Sequence, residues 1–512
     1  MMDTSPSLDI VIAGGGTAGW MAAAVFARFL GDAARITLVE SDAIGTVGVG
    51  EATIPQIHNL IIGLGIDQAE FMRETNASFK LGIEFADWLR PGHSYIHSFG
   101  TVGRGVGLIP FRQLWLRGRK LGVAGDYGDY SFNVAAAQAG KFAKGANGPT
   151  QPELAYAYHF DATLLAGLLR RYAEERGVQR IEGMIQTVAR DANSGDITAL
   201  QLDRDRRVAG TLFIDCTGFR SLLLGQALEV PFDNWSHWLP CDTALAVPSD
   251  GGGQFRPYTQ SLARPAGWQW RIPLQHRTGN GHVFCSAFMS VDEASELLLA
   301  NIEGKALADP RPIRFTTGHR REFWSHNCLA LGLAAGFMEP LESTSIHLVQ
   351  SAIARLLNLL PGNLGDLATA RTIFNRLSNN EWARIRDFLI LHYVANAREG
   401  DPFWDHCRHI AQPDTLVEKI ALFAESGLFI REEDELFLDD SWGQVMIGQG
   451  VEPRHYSPLA DNVPRDDIGP FLASVAKAAR TRANAMPGHR AFIDTMLHDG
   501  REDTRCTTRP PL

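Results

Sequence analysis

Apolar positions arrive in runs whose period changes along the chain, and the periods predict the elements. Leu8 to Ala13 is apolar apart from Asp9, the pattern of a buried strand. Gly14-Gly15-Gly16-Thr17-Ala18-Gly19 follows, then helical spacing from Trp20 to about Leu30. A second apolar strand runs from Arg35 to Val39 and ends in Glu40, which completes a βαβ opening. Between Thr75 and Trp88 the period becomes two: Phe79, Leu81, Ile83 and Phe85 alternate with Lys80, Gly82 and Glu84. This predicts one strand with a polar face. Residues 117–150, rich in Gly, Ala and Lys, read as an irregular surface region.

Leu154 to Arg176 carries helical spacing around Leu164, Leu165, Leu168, Leu169 and Tyr172. Strands are expected at about 178–190, 197–202 and 208–214, with Asn193-Ser194-Gly195-Asp196 as a turn, and the stretch closes on Asp215-Cys216-Thr217-Gly218. Trp268 to Pro273 alternates again and is stopped by proline. From Leu329 a short strand leads to Gly336 and then to Glu339-Pro340-Leu341-Glu342-Ser343-Thr344-Ser345. A helix follows with Ile346, Val349, Ile353, Leu356, Leu357 and Leu360 on one face. Beyond Pro361 the pattern is mainly helical to about 500, and 501–512 is a polar tail.

Composition narrows the function classes. The chain has 512 residues, 45% hydrophobic and 21% charged, an ordinary globular balance with room for a large core. A net charge of −10 with no Lys/Arg-rich block argues against a nucleic-acid partner. Cys216, Cys241, Cys285, Cys328, Cys407 and Cys506 form no C-x-x-C pair, which suits reduced thiols in a cytoplasmic protein and not a zinc site. Asp3 and Asp9 stand where a secretory signal would be basic, and the longest apolar runs are too short to span a bilayer. A soluble, cytoplasmic protein with no membrane association is expected.

The candidate chemistry starts at Gly14-x-Gly16-x-x-Gly19. Glycines at this spacing let the backbone turn tightly and approach a pyrophosphate seated on a helix N-terminus. Glu40, ending the second strand, can accept hydrogen bonds from ribose hydroxyls. A bare glycine turn is the alternative; strand, helix and placed acid together favour a dinucleotide. Asp215-x-x-Gly218 and Gly48-Val49-Gly50-Glu51-Ala52-Thr53 supply two further segments able to hold an extended FAD, although each is also what an ordinary turn looks like.

As a set these motifs resemble the flavin-dependent tryptophan halogenases. The carriers are Gly14 to Trp20, Gly48 to Pro55, Phe79-Lys80, Gly267-Trp268-Gln269-Trp270-Arg271-Ile272-Pro273 and Glu339 to Thr344; the G-W-x-W-x-I-P string is diagnostic of that family. The resemblance runs in order over about residues 8–410 and thins beyond. It implies an α/β fold: an FAD-binding, flavin-monooxygenase-like module of two-dinucleotide-binding type over 1–360, with a substrate-facing insert around 80–150, and a mainly helical substrate lid over 361–500. It assigns FAD to Gly14, Gly16, Thr17, Ala18, Gly19, Glu40, Gly48, Gly50, Glu51, Ala52, Ile185, Asp215, Gly218, Leu333 and Ile346. It implies an enzyme that uses FADH2 and O2 to install chloride or bromide on an electron-rich ring, indole or an indole derivative. A separate NAD(P)H-dependent flavin reductase would supply FADH2 by diffusion, because no second G-x-G-x-x-G followed by an acid is present to bind NADH. The oligomeric state, including a homodimer, stays open.

Within that resemblance Lys80 matches the catalytic lysine, which holds hypohalous acid or a haloamine beside the ring; its plain alternative is a surface ion pair with Glu84. Glu342 matches the carboxylate that stabilises positive charge on the ring and accepts its proton, or else it only favours the start of the following helix. Ser343, Thr344 and Ser345 stand where that helix begins; one is expected as an N-cap, and Thr344 with Ser345 matches the halide site. Trp268 and Trp270 match the rings that wall off the flavin, and such a pair is also ordinary core packing. His97 and Phe99 resemble the substrate-pocket lining, while a histidine here could equally be structural. An aromatic hydroxylase on the same fold and a non-catalytic flavin-binding partner protein are the rival functions; Lys80, Glu342, Thr344 and the tryptophan pair argue against both. No Tyr-Tyr pair exists to grip the amino-acid end of free tryptophan, and the segment matched to that lid reads Asp440-Ser441-Trp442-Gly443-Gln444-Val445-Met446-Ile447.

Overall fold

The computed structural model describes residues 8–44, 50–144, 153–360, 367–433 and 435–503. Gly48 and the tail from 504 lie outside the described residues. The chain forms two compact units, each assembled from three chain segments. This division runs across the expected boundary at residue 360.

One unit comprises Met1–Asp67, Phe160–His237 and Arg314–Ala383. Its centre is a six-stranded sheet in the order Trp324–Ser325, Cys328–Ala330, Leu212–Asp215, Leu8–Ala13, Ala34–Glu40, Gln179–Glu182. The Leu8–Ala13 strand pairs in parallel with both neighbours. Ile10 to Ala13 are buried, as the unbroken apolar run requires of a strand covered on both faces. The helix Thr17–Leu30 buries every residue from Gly19 to Ala27, and the small side chains Ala22, Ala23 and Ala24 let it lie close against the layer beneath. Helix Ala162–Glu174 packs beside it. Asp161 caps that second helix by accepting from the Thr163 and Leu164 amides.

The other unit comprises Gln68–His159, Trp238–Ile313 and Arg384–Leu512. Its seven-stranded sheet runs Arg311–Arg314, Thr243–Ser249, Thr278–Phe284, Gly267–Pro273, Thr259–Arg264, Gly82–Ala86, Ser94–Ser98. The residues expected as one strand from Thr75 to Trp88 form two, Ser78–Lys80 and Gly82–Ala86, which belong to different sheets. The break falls at Leu81, whose amide donates to the Pro257 carbonyl and whose carbonyl accepts from Phe99. Lys80, expected on a polar face, has 0% of its surface exposed, so a surface ion pair with Glu84 is ruled out.

Two further expectations are corrected. Residues 117–144 are not irregular throughout, since helix Phe111–Lys120 reaches into this stretch and helix Phe132–Gln138 lies within it, while 145–150 lie outside the described residues. Helix Phe111–Lys120, the turn Tyr127–Tyr130 and helix Arg465–Asn484 enclose a core of Phe111, Leu114, Trp115, Tyr130, Ile468 and Leu472. The glycine that suggested a loop serves close approach instead, since a Cβ on Gly118 would lie 2.4 Å from Leu472. The helix expected from Leu154 starts at Ala162, after a strand, Ala157–Asp161, because a short apolar run does not by itself separate strand from helix. After 367 the chain is helical as expected, in the helices Ala368–Val394, Pro402–Arg408, Asp414–Ser426, Asp439–Gly448, Arg465–Asn484 and His489–Asp503.

This unit carries buried neutral histidines. Burial pushes His282 and His489 from 6.5 down to about 4, and pushes His159 well below 6.5. Between 4 and 6.5 the unfolded chain therefore binds more protons than the native one, and stability falls as the pH falls through that window. A shift of that size corresponds to about 3 kcal/mol per histidine. Urea unfolding at about pH 7.5, 6 and 5 should show a progressive loss. His489→Gln should flatten the slope relative to the unsubstituted chain.

Candidate active site

The glycine motif folds as a cradle with no room for side chains. Gly14 has φ of 109°, and a Cβ there would lie 2.2 Å from the Cys216 carbonyl oxygen. At Gly19 a Cβ would lie 1.9 Å from the Gly14 carbonyl oxygen. Helix Thr17–Leu30 starts from Gly16, so no side chain caps its first-turn amides. Thr17 Oγ1 donates to the Ala162 carbonyl at 3.3 Å, and Ala18 sits 3.0 Å from where a Gly332 Cβ would be, which brings the Gly332–Ala334 turn carrying Leu333 alongside. Glu40 stands at the end of its strand with Arg180 Nε on Oε1 at 2.5 Å and Trp20 Nε1 on Oε2 at 3.3 Å. A carboxylate has more lone pairs than these two donors use, so it can still accept from a diol.

Asp215 is fully buried and shapes the neighbouring turn. It accepts from the Thr217 amide and hydroxyl at 3.0 and 2.6 Å and from the Leu223 and Leu224 amides at 2.9 Å each. Gly218 follows with φ of 69° and open space above its Cα. Gly183 donates to the Glu40 carbonyl two residues before Ile185, which begins the strand Ile185–Arg190. Gly50 to Ala52 form a short strand. A backbone cradle, an uncapped helix start, an acid at a strand end and a shaped second turn all fit a dinucleotide such as FAD.

The same unit holds the Glu342 segment. A helical turn Pro340–Glu342 leads to Ser343, whose φ of 60° is left-handed. Such a conformation costs a non-glycine residue about 1 kcal/mol or more and persists only where the surroundings demand it. Thr344 takes the N-cap position of helix Ser345–Leu359, as expected, but makes no side-chain cap hydrogen bond. The first-turn amides are thus left for another partner. Glu339, Glu342, Ser343, Thr344 and Ile346 are all buried.

Behind this helix start lies a group the sequence reading missed. Glu381 accepts from His347 Nε2 at 3.0 Å, Ser351 Oγ at 2.9 Å and Arg355 Nη2 at 2.9 Å, and Arg355 Nη1 donates to Ser378 Oγ at 2.7 Å. Burial opposes charge on Glu381, but His347 and Arg355 outweigh it and hold the carboxyl below its ordinary range. The signal was present: His347, Ser351 and Arg355 recur every four residues along one face of the helix.

Lys80 belongs to the other unit. Its Nζ lies 5.3 Å from the centre of the Phe99 ring, which joins two residues that were expected at one site. Phe79 stacks on Phe142 at 3.8 Å and meets Tyr156 edge-on at 5.4 Å. Ser78 Oγ donates to the Pro273 carbonyl at 2.6 Å, so the 3.1 Å contact with His159 must carry the imidazole's Nδ1 proton. His159 Nε2 is then free to accept from Thr259 at 2.9 Å. His97 is buried against Phe388 and Phe437 at 5.5 and 6.1 Å. Trp268 and Trp270 are buried with ring centres 6.1 Å apart; Trp268 meets Trp88 at 6.3 Å, and Trp270 covers Gly281, whose Cβ would lie 2.0 Å from its ring. Among the described residues no cluster of His, Cys, Asp and Glu could hold a metal ion, and no helix is long and apolar enough to cross a membrane.

The tryptophan halogenase family model matches residues 9–465. The tryptophan 6-halogenase SttH of Streptomyces toxytricini is 37% identical over 97% of this chain and 97% of its own. The structure of Xcc4156, a flavin-dependent halogenase from Xanthomonas campestris, superposes with a TM-score of 0.93 at 47% identity, covering 96% of this chain and 98% of that one. That of BrvH, a flavin-dependent halogenase from Brevundimonas sp. BAL3, gives 0.92 at 41% identity over 96% and 100%. With its α/β flavoenzyme fold and these relatives across nearly its whole length, the chain belongs to the tryptophan halogenase family and is a flavin-dependent halogenase.

Proposed function

We propose that this enzyme installs chlorine or bromine on an indole-type ring, with Lys80 presenting the halogen and Glu342 supporting the substitution. When bound, reduced FAD supplies with O2 the oxidising power that turns halide into hypohalous acid. The residues that would hold it are Gly14, Gly16, Thr17, Ala18, Gly19 and Glu40, with Gly48, Gly50, Glu51, Ala52, Ile185, Asp215, Gly218, Leu333 and Ile346 along its length. FADH2 comes from a separate flavin reductase in the cytoplasm. The halide rests on the first-turn amides of helix Ser345–Leu359 beside Thr344 and Ser345, where an uncapped helix start favours an anion. Functionally, 1–360 carries flavin and halogenation and 361–500 the substrate lid.

The observation that carries this reading is Lys80 itself, an amine with no exposed surface held over the Phe99 ring. Buried lysines are costly, and one enclosed beside an aromatic wall suits an amine that must keep an electrophilic halogen away from water. Electrophilic substitution places positive charge on the ring. A buried carboxylate such as Glu342 lowers that barrier and takes the departing proton at its oxygen. Retention of Lys80, Glu342, Thr344 and the tryptophan pair favours halogenation over hydroxylation or a non-catalytic role.

Indole is the better substrate than free tryptophan. In the segment matched to the amino-acid grip, Gln444 is already engaged: Oε1 accepts from the Ser98 amide and hydroxyl at 3.0 and 2.9 Å, and Nε2 donates to the Ser98 carbonyl at 3.1 Å. Tyr456, which could substitute, donates to Asp461 at 3.0 Å. A zwitterion brought out of water without partners loses about 1–3 kcal/mol per unpaired group.

Lys80→Ala should abolish halogenated product, read by mass spectrometry, while FAD binding and the thermal transition stay intact; full turnover in the folded variant would remove the role. Glu342→Gln should slow the chemical step by a factor on the order of 10²–10³. An unchanged single-turnover rate would leave Glu342 a structural group only. Crystals soaked in bromide should give an anomalous peak beside the Thr344 and Ser345 amides. Measured side by side, kcat/KM for indole should exceed that for tryptophan, and a preference for tryptophan of about tenfold or more would overturn the substrate assignment.

A further inference from the structure

The strand Ser78–Lys80 is the last in its sheet and pairs on one side with Ala157–Asp161, Phe79 opposite Tyr158. On its outer side the Phe79 amide donates to Nε2 of His489, 3.1 Å away and 410 residues further along. Because that amide is the donor, Nε2 carries no proton. The imidazole's proton is on Nδ1, which faces the Phe255 carbonyl at 3.3 Å. Both nitrogens are therefore engaged, one holding the Lys80 strand and the other tied to a neighbouring loop. The ring also stacks on Phe255, with centres 4.7 Å apart and planes 13° apart. His489 is buried, and burial pushes it down to about 4, so it is a neutral acceptor at any ordinary pH.

The start of the helix that carries His489 is itself anchored. The His489 amide donates to the Gly140 carbonyl at 2.9 Å, and the Phe142 amide donates to the Pro487 carbonyl at 3.2 Å. One turn on, Phe492 packs edge-on against Phe79 at 5.8 Å and Phe142 at 5.2 Å. All these residues belong to one compact unit. The family match ends at residue 465, before this helix begins.

We propose that His489 is a positioning residue for Lys80: the C-terminal helix sets the backbone of the lysine strand through one neutral imidazole, and thereby aims the amine. The proposal rests on Lys80 being the group that presents the halogen. The peptide plane held by His489 is that of Phe79, one residue before Lys80. A small rotation there swings a four-carbon side chain, and a displacement of about 1 Å at a reacting atom is enough to cost a hundredfold. Lost aim differs from lost catalysis in its products. Hypohalous acid still forms, but more of it escapes to solvent instead of reaching the ring.

The test uses the full chain with FAD, a flavin reductase, NADH, bromide and indole, and reads two products: bromoindole, and free hypobromous acid trapped by an excess of a soluble enol scavenger. His489→Met fills a similar volume but neither accepts from Phe79 nor donates to Phe255. His489→Gln is nearly isosteric with it and can do both. The Met variant should lose about tenfold to a hundredfold in bromoindole while trapped hypobromite does not fall, with KM for indole within about twofold. The Gln variant should recover to within about threefold. Wild-type partition in a folded Met variant overturns the proposal, and so does a parallel fall of both products in both variants. If the Met variant does not fold, a folded Gln variant with less than about a tenth of wild-type partition overturns it, and a Gln variant near wild type sustains it. Lys80→Ala is run alongside. Bromoindole retained in that variant removes the Lys80 assignment and this proposal with it, whereas its loss beside a normal Met variant overturns the positioning role alone.

Discussion

An amine enclosed on every side constrains the sheet that carries it. Taking an ammonium out of water costs several kcal/mol. At Lys80 the Phe99 ring face answers part of that, at a distance where cation–π attraction contributes about 1–2 kcal/mol. The titratable imidazole on the paired strand is held neutral: burial, then the charge of Lys80, push His159 far down, and its two nitrogens are engaged by Ser78 and Thr259. No imidazolium competes with the lysine from that side. A register slip of one residue would exchange Lys80 for Phe79 on the strand face, and the aromatic cluster around Phe79 makes that exchange costly.

In the other unit two helix starts at the proposed site carry no side-chain cap. Elsewhere in this chain Ser131, Asp161 and Ser290 cap helices with their side chains, Ser290 in a full capping box. Helix Thr17–Leu30 starts on a glycine, and helix Ser345–Leu359 on a threonine whose hydroxyl makes no cap. Uncapped amides are a liability that folding alone would remove, since an N-cap is worth about 1 kcal/mol. Other helices, such as Ile57–Leu64 and Phe111–Lys120, also lack a side-chain cap, but these two starts fall in the motifs that pointed to chemistry, beside the glycine cradle and beside the strained Ser343. The Glu381 group then explains how the second start keeps its place. It ties His347, Ser351 and Arg355 of that helix to the next one, so the first turn is held through His347 while no side chain caps its amides.

What was legible in the sequence was local. The glycine cradle, the strand ending in Glu40, the Gly267–Pro273 strand and the helix after Thr344 are each written within one short stretch, by period and by residues with special backbone freedom. What was not legible depended on partners far away. Gly118 looks like a loop signal until Leu472 is placed against it. Leu81 continues an alternating pattern until Pro257 and Phe99 take its amide and carbonyl and turn the chain into a second sheet. A lysine between apolar neighbours reads as the polar face of a half-buried strand, and only tertiary packing shows that both faces are covered. His489 and Glu381 were beyond reach for the same reason, although the four-residue recurrence of His347, Ser351 and Arg355 was a usable hint.

On the proposed function, this separation between local and distant encoding also separates chemistry from selectivity. The residues assigned to halide, flavin and halogen transfer sit in short motifs, so they can be shared with relatives that are 32–47% identical. The surroundings of His97 are assembled otherwise. Phe388 and Phe437 stack at 4.0 Å, Trp442 meets Phe388 edge-on at 4.8 Å, and Lys419, paired with Glu435, lies 4.6 Å over the Trp442 ring. These side chains come from three helices and a loop spread over residues 388–442. An aromatic wall built this way can change shape by repacking large rings without disturbing any catalytic motif, since volume-conserving apolar exchanges are tolerated at modest cost. Gln444 then becomes a fixed point among replaceable neighbours. Its three bonds to Ser98 tie the helix Asp439–Gly448 to the residue between His97 and Phe99. The rings on that helix can thus be repacked while Phe99, and with it the ring face beside Lys80, stays where it is.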